Sequence, residues 1–239
     1  MQKKIYKVVA VSNNSRLFAI LMAFSGGALD VYSHNYFHGL VATQTGNIIL
    51  MASNLSQYNW QQMLPKIVSI ILFTVGFLLG ILLKRSNFSH YWRSYTMLPV
   101  ILSSLIIPLL SQNLHLFKIG LLAFGSGLLM LTFTGTQIEG NPYTIMMTSG
   151  NYRKMLNEWY LYLTSRNKTS LQRRNAHNYT IVVLSFVIGA CLLAFVSLVL
   201  KKYSIWIVTF TFLLALFIEI HQAKKTIRQS KKNRQRDSF

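Results

Sequence analysis

An all-α integral membrane protein is the fold class that this sequence predicts, and three observations predict it. The first is a mismatch in composition: of 239 residues, 24 are Lys or Arg and 5 are Asp or Glu, a formal net charge of +19, yet 52% are hydrophobic and only 12% are charged. The second is that long runs, each enough for a helix across a bilayer core of about 30 Å, carry no charge at all. The third is that the basic residues gather between those runs in segments that can share one side of a membrane. The same numbers exclude other classes. A nucleic-acid binder of this charge would carry Lys and Arg throughout and lack long apolar runs. One cysteine, Cys191, cannot form an internal bridge, and the hydrophobic fraction is too high for a disordered chain.

Taken in order, the chain opens with a basic segment, 1–16, with Lys3, Lys4, Lys7 and Arg16. No cleaved signal peptide is expected, because this charge is separated from the first apolar run and no small-residue cleavage site follows. The first span, 17–38, is apolar and interrupted by Asp30 alone. A second span, 66–84, is bounded by Lys66 and Lys84; a third, 95–111, contains Pro99 and Pro108 and is expected to kink. A fourth, 118–138, ends at Glu139, and the last two cover 179–200 and 203–220. Leu, Met, Ala and Phe dominate these runs and no period-two alternation is sustained, which argues against strands. Segments 40–55 and 142–163 are long enough for helices but carry central polar residues. In the latter, Met155, Leu156, Trp159 and Leu163 form an apolar face opposite Arg153, Lys154, Asn157 and Glu158, as expected of an amphipathic helix on the membrane surface. The tail, 222–239, has seven basic residues from Lys224 to Arg236, suited to topogenic charge and to anionic lipid. It lacks the interleaved aromatics of a nucleic-acid site.

Six spans with both termini in the cytoplasm put 20 of the 24 basic residues inside, leaving Lys66, Lys118, Lys201 and Lys202 outside. An eight-span alternative, in which 40–55 and 142–163 also cross, puts about 19 inside, but it buries Arg153, Lys154 and Glu158 at about 2.5–3.5 kcal/mol per central charge. Six is the preferred count, in a bacterial cytoplasmic membrane.

The chain also echoes itself. Ala23-Phe24-Ser25-Gly26-Gly27-Ala28-Leu29 matches Ala123-Phe124-Gly125-Ser126-Gly127-Leu128-Leu129, and Thr45-Gly46-Asn47 matches Thr148-Ser149-Gly150-Asn151. Gly76 and Gly80 stand roughly where Ser185 and Gly189 stand later. Two membrane halves follow, 17–111 and 112–221. With three spans each they are inverted, a construction that recurs in secondary transporters; with four each they would be parallel.

These residues carry a resemblance. Gly27-Ala28-Leu29-Asp30, then Gln44-Thr45-Gly46-Asn47, with a second Thr/Gly/Asn box in the other half, resembles the YoaK-like family of bacterial membrane proteins, a domain of unknown function (1275). The resemblance covers nearly the whole chain apart from its basic ends, and it implies a helical inner-membrane protein without a settled activity. Relatives often carry a polar Gln-Asn pair where this chain has Leu129 and Met130.

Asp30 is the sharpest candidate, because an acid inside a span is by default a functional residue and can serve in proton coupling; the plainer role is to hold helices together. Asp30, His34 and His38 are spaced i, i+4, i+8, one stripe of a helix, which suits a proton relay or a metal site. Gln44, Thr45, Gly46 and Asn47, with Thr148, Gly150 and Asn151, form two boxes in corresponding positions, the pattern of a central ligand or ion site, or else of hydrogen bonds between helices. Gly26, Gly27, Gly76, Gly80, Gly125, Gly127 and Gly189 suit close helix packing, with homo-oligomerisation through Gly76 and Gly80 as a lesser role. The six histidines are dispersed, and there is no nucleophile elbow, zinc-protease motif or phosphate loop, so neither a catalytic residue nor a cofactor is expected. The expected function is transport of a small solute or ion with proton coupling at Asp30; the alternatives are a non-transporting scaffold or regulatory partner and, remotely, a membrane enzyme.

Overall fold

A computed structural model describes residues 15–86 and 89–236, with side chains through Gln229. Its elements are α1 (Arg16–Phe37), α2 (Gln44–Ser56), α3 (Trp60–Ser86), α4 (Trp92–Ile106), α5 (His115–Thr132), a hairpin of β1 (Gln137–Ile138) and β2 (Asn141–Pro142), α6 (Ser149–Thr164), α7 (Ser170–Leu200) and α8 (Ile205–Arg236). The basic segment ahead of Ser15 lies outside the described residues.

Five helical segments are long and apolar enough to cross a bilayer: Arg16–Phe37, Trp60–Ser86, Trp92–Leu109, Gln112–Thr132 and Ser170–Gln229. The last contains both α7 and α8, separated by the 3-10 turn Lys201–Ser204. α2 has 13 residues and α6 has 16, so at 1.5 Å per residue they reach about 20 and 24 Å, short of a bilayer core. That length does not support eight spans.

Helix ends follow local chemistry more than hydropathy. Ser15 Oγ accepts from the Phe18 N–H and caps α1. His38, with φ +59, ends it through its N–H to the His34 carbonyl. α7 begins at Ser170 rather than 179 because Thr169 and Gln172 form a reciprocal capping box that starts a helix in a polar stretch. α3 begins at Trp60 rather than 66 and takes Pro65 inside it. α5 stops at Thr132 rather than 138, giving way to the hairpin, whose Gly135 (φ +88) and Gly140 (φ +89) adopt a backbone open to glycine. Pro99 lies inside α4, whereas Pro108 falls in a 3-10 turn, Ile107–Leu109, that ends it. α8 runs on to Arg236, so the described part of the basic tail is helical.

Two helix pairs, α1 with α7 and α3 with α5, are built alike. A Cβ on Gly27 would lie 2.1 Å from the Phe186 carbonyl oxygen, and one on Gly189 2.2 Å from that of Phe24. In the other pair, a Cβ on Gly127 would lie 2.1 Å from the Phe73 oxygen and one on Gly76 2.0 Å from that of Phe124. Each interface therefore brings two backbones together at a reciprocal pair of glycines, inside one chain. The geometry corrects one sequence correspondence: Gly76 takes the place of Gly189, one turn from the Ser185 and Gly189 register, while Gly80 faces the Leu131 side chain. α4 packs on α5, where a Cβ on Gly125 would stand 2.8 Å from Val100 Cβ. Hydroxyl pairs join α1 to α8 (Ser25 and Thr211, 2.7 Å) and α4 to α8 (Ser104 and Thr209, 2.9 Å).

The outside of the bundle is apolar. Ile71, Val75, Leu78 and Leu82 form an exposed stripe on α3, and Leu184, Ile188 and Phe195 on α7 and Phe210 and Phe217 on α8 are exposed as well. Ser25, Ser33, Ser69 and Ser126 are buried. This inversion of the water-soluble pattern is what a lipid solvent permits. The apolar face expected on α6 divides. Met155 and Trp159 are half-buried, with Trp159 Nε1 donating to Thr180 Oγ1 of α7 at 2.9 Å, while Leu156 and Leu163 join Tyr152 and Tyr160 on the exposed side.

Candidate functional site

Two loops end in the two Thr/Gly/Asn boxes, and both are tethered by the same device. In the first half, Asn47 Oδ1 accepts from the Leu40 N–H at 2.8 Å and Asn47 Nδ2 donates to the Leu40 carbonyl at 2.7 Å. In the second, Asn151 Oδ1 accepts from the Thr144 N–H at 3.0 Å and Asn151 Nδ2 donates to the Thr144 carbonyl at 2.7 Å. Each fully buried amide grips the peptide groups seven residues upstream and bends the chain entering a short helix. Asn47 Nδ2 also reaches Gln44 Oε1 (2.8 Å) and Ser69 Oγ (3.2 Å), and Asn151 Nδ2 reaches the Met147 carbonyl (2.8 Å).

Both loops arrive on α1, the second at its middle and the first one turn beyond. Asp30 is buried, and its Oδ1 accepts from the N–H groups of Val41 (2.9 Å) and Ala42 (2.8 Å). Its Oδ2 accepts from Thr43 Oγ1 at 2.5 Å. One turn earlier on the same face, Gly26 admits the second loop: a Cβ there would be 2.4 Å from Met146 Cα. Met146 is fully buried with φ +54, a conformation costly for a residue with a side chain. Irregular backbone thus lies at mid-helix depth against protein, where a membrane tolerates it.

A family model described as "Protein of unknown function (DUF1275)" matches residues 18–218. The chain belongs to this family. The match runs through both loops and leaves out the two basic ends. No curated protein and no solved structure matches the chain.

In this DUF1275 protein the predicted site residues divide. Asp30 and His34 border an open cleft of about 310 Å³, lined also by Leu40 and Leu50 and by Phe186 and Ala190 of α7. His38 does not continue their stripe, because it lies past the helix end in the left-handed conformation. Among the described residues no three His, Cys, Asp or Glu side chains group as metal ligands. Thr45 is exposed, whereas Gln44 is held inward, its Nε2 donating to the Val41 carbonyl at 3.1 Å. Gly46 and Gly150 do not break helices: both sit in the first turn, Gly46 under Leu40 Cδ1 and Gly150 with only Thr144 Oγ1, at 4.0 Å, beside it. Thr148 precedes α6, and its Oγ1 is buried with no hydrogen-bond partner among the described residues.

Sequence reasoning missed Thr43, Ser69 and Met146. Thr43 directly precedes the first box and was findable as its extension; the other two are set by tertiary contact. Arg93, ahead of the third expected span at 95–111, lies inside α4. Arg93 is buried, stands 5.9 Å from the Trp92 ring and 5.8 Å from the Phe133 ring, and feels the charge of the buried Glu219 of α8. Glu139, outside the spans, ties the hairpin to α1 and α7 through Arg16, Arg174 and Asn178. The Arg174 hydrogen bond foremost, helped by Asn178 and Arg16 against the cost of desolvation, holds its carboxyl down at about 2.

Proposed function

We propose that this protein carries a small solute or ion across the bacterial cytoplasmic membrane, with proton coupling at Asp30. It is no enzyme in this reading. Two inverted halves of three spans make up the carrier, α7 and α8 crossing separately, with both termini cytoplasmic. The observation that carries the reading is the convergence of two loops, each leading into a helix too short to span, on Gly26 in the middle of α1 and Asp30 one turn beyond. Paired broken elements near the midplane are where secondary transporters bind. The like construction of the α1–α7 and α3–α5 pairs supports the two halves, and the unpartnered Thr148 hydroxyl offers the solute a polar group.

Asp30 works as a latch. As a carboxylate it accepts three hydrogen bonds from the first loop, two of them from backbone N–H groups. Protonation weakens all three, since charge-assisted bonds are roughly twice as strong as neutral ones. The loop and α2 then shift, changing access to the cleft beside Asp30 and His34. The test is purified protein in proteoliposomes with a lumenal pH dye, challenged with amino acids, carboxylates, sugars and inorganic ions. Solute-dependent proton flux that Asp30→Asn abolishes supports the reading; flux with unchanged pH dependence in Asp30→Asn sinks the coupling.

One observation favours a second reading, a non-transporting scaffold or regulatory partner: the bonds of Asp30, Asn47 and Asn151 all close on the chain itself. A scaffold predicts that Asn47→Ala and Asn151→Ala lower stability in detergent and that none of these solutes raises it.

A further inference from the structure

The four lysines that depart from the inside bias are Lys66, Lys118, Lys201 and Lys202, and three of them meet in space. A cavity of about 760 Å³ opens at the end of the bundle where α1 and α4 finish, α5 begins and α7 turns into α8. Lys118, Lys201, Lys202 and His115 line it, and among the described residues no Asp or Glu does. Its other walls are largely apolar and aromatic, with Tyr36, Phe37, Ile107 and Leu200 among them, and Gln112 at the side.

Lys118 is 5% exposed, and its Nζ donates to the Leu110 carbonyl at 3.1 Å, which cannot neutralise it. The charges of Lys118 and Lys202 repel each other across the cavity. Lys201 holds φ +49, a conformation that glycine occupies at least cost, and yet the position carries a lysine. The turn is fixed from behind by Tyr32, whose hydroxyl donates to the Lys202 carbonyl at 3.0 Å. The turn sets the exposed Lys201 and the half-buried Lys202, whose Nζ lies 5.3 Å from the Tyr203 ring centroid, around the same cavity as the buried Lys118. Gathering three cations around one cavity costs mutual repulsion that a bound anion relieves.

We infer that this cavity binds an organic anion, its phosphate or carboxylate head held by Lys118, Lys201 and Lys202 and its apolar body lying against Tyr36, Phe37 and Ile107. The volume suits a ligand well beyond an inorganic ion. The head can belong to a soluble metabolite or to an anionic lipid entering from the bilayer. The inference goes beyond the proposed transport and does not depend on it, because the Asp30 latch uses no residue of this cavity.

The test is calorimetric titration of the full chain in phosphatidylcholine nanodiscs with 1-naphthyl phosphate and, separately, with 1-naphthol. Saturable 1:1 binding of the phosphate is expected, with the neutral alcohol about tenfold weaker or more, the worth of one charge-assisted hydrogen bond. Lys202→Gln and Lys118→Gln should each weaken the phosphate by about tenfold, Lys202→Arg should retain it, and Lys84→Gln should leave it unchanged. Should Lys118→Gln fail to fold, the Lys201→Gln/Lys202→Gln double variant decides. Discs containing phosphatidylglycerol separate the sources. If a lipid headgroup is the occupant, that lipid displaces naphthyl phosphate and stays on the wild type, but not on Lys202→Gln, in native mass spectrometry. If the anion is soluble, the lipid does not compete. Equal binding of phosphate and alcohol, unchanged affinity in both glutamine variants, or neither saturable binding nor retained lipid overturns the inference.

Discussion

Gly27→Ala separates a designed close approach from a merely tolerant site. The new Cβ would stand 2.1 Å from the Phe186 carbonyl oxygen, where a carbon–oxygen contact settles near about 3.3 Å. The shortfall is roughly 1.2 Å, and the obstacle is backbone of α7, which cannot rotate away. α1 and α7 must part by about 1 Å, and a gap of that size forfeits a quarter to a half of each dispersion contact along the interface. Overpacking of this kind costs about 1–3 kcal/mol, set against a gain of up to about 1 kcal/mol from replacing a helical glycine. Gly150→Ala collects the gain without the clash, since its nearest neighbour is 4.0 Å away. The two variants should therefore move stability in opposite directions. Reversible SDS unfolding of protein in dodecyl maltoside, followed by circular dichroism, measures the difference. Gly189→Ala should match Gly27→Ala, and the double variant should cost less than the sum, because the first methyl already parts the helices. Gly27→Ala within about 0.5 kcal/mol of Gly150→Ala, which shares the propensity gain without the clash, would refute the packing argument.

Other outcomes follow from the tethers. Asn151→Ala should cost about 2–4 kcal/mol in the same assay, because the Thr144 N–H and C=O both lose their side-chain partner, and Asn47→Ala about 1–3 kcal/mol, because the Leu40 N–H loses its acceptor while the Leu40 carbonyl keeps Ser69 Oγ. Trp159→Phe, which removes the indole donor to Thr180 Oγ1 while that hydroxyl keeps its bond to the Ala176 carbonyl, should cost about 1 kcal/mol and loosen α6 from α7, read as faster hydrogen exchange in 149–164. Glu139 sets an acid limb. Its folded pKa, about 2, lies below the ordinary 4.5, so its contribution is complete above 4.5 and is lost as pH falls toward 2. Melting temperatures of wild type and Glu139→Gln should therefore converge on acidification through that window.

The membrane class and the broad placement of the spans were legible because a bilayer writes its thickness into the chain as uncharged length. Boundaries were less so. The capping box at Thr169 and the left-handed His38 are hydrogen-bond events that hydropathy does not register, and Thr134-Gly135-Thr136 is apolar enough around it to pass for helix. Asp30 was visible as an isolated acid. Its partners were not, because two are backbone N–H groups, which no side-chain pattern encodes. The Asn boxes were visible as a repeated motif, but which peptide each grips is a matter of loop path. The lysine cavity was half visible: the charge count left Lys118, Lys201 and Lys202 unexplained, and only the packing of α4, α5 and the α7–α8 turn brings them together.

The two loops differ where it matters for the proposed coupling. Both are gripped by an asparagine, but only the first is also held by a carboxylate; position 130, which corresponds to Asp30, is Met130. The second loop rests on the tight fit of Met146 against Gly26, and its approach is clamped by the hairpin that Glu139 joins to Arg16 and Arg174. A buried Asn and a van der Waals fit do not titrate, and Glu139 stays ionised down to about 2. In the proposed coupling, a single proton would therefore act on the first loop and leave the second alone. Because both loops bear on one face of α1, a proton at Asp30 would move one against the other and turn a local loss of hydrogen bonds into relative motion.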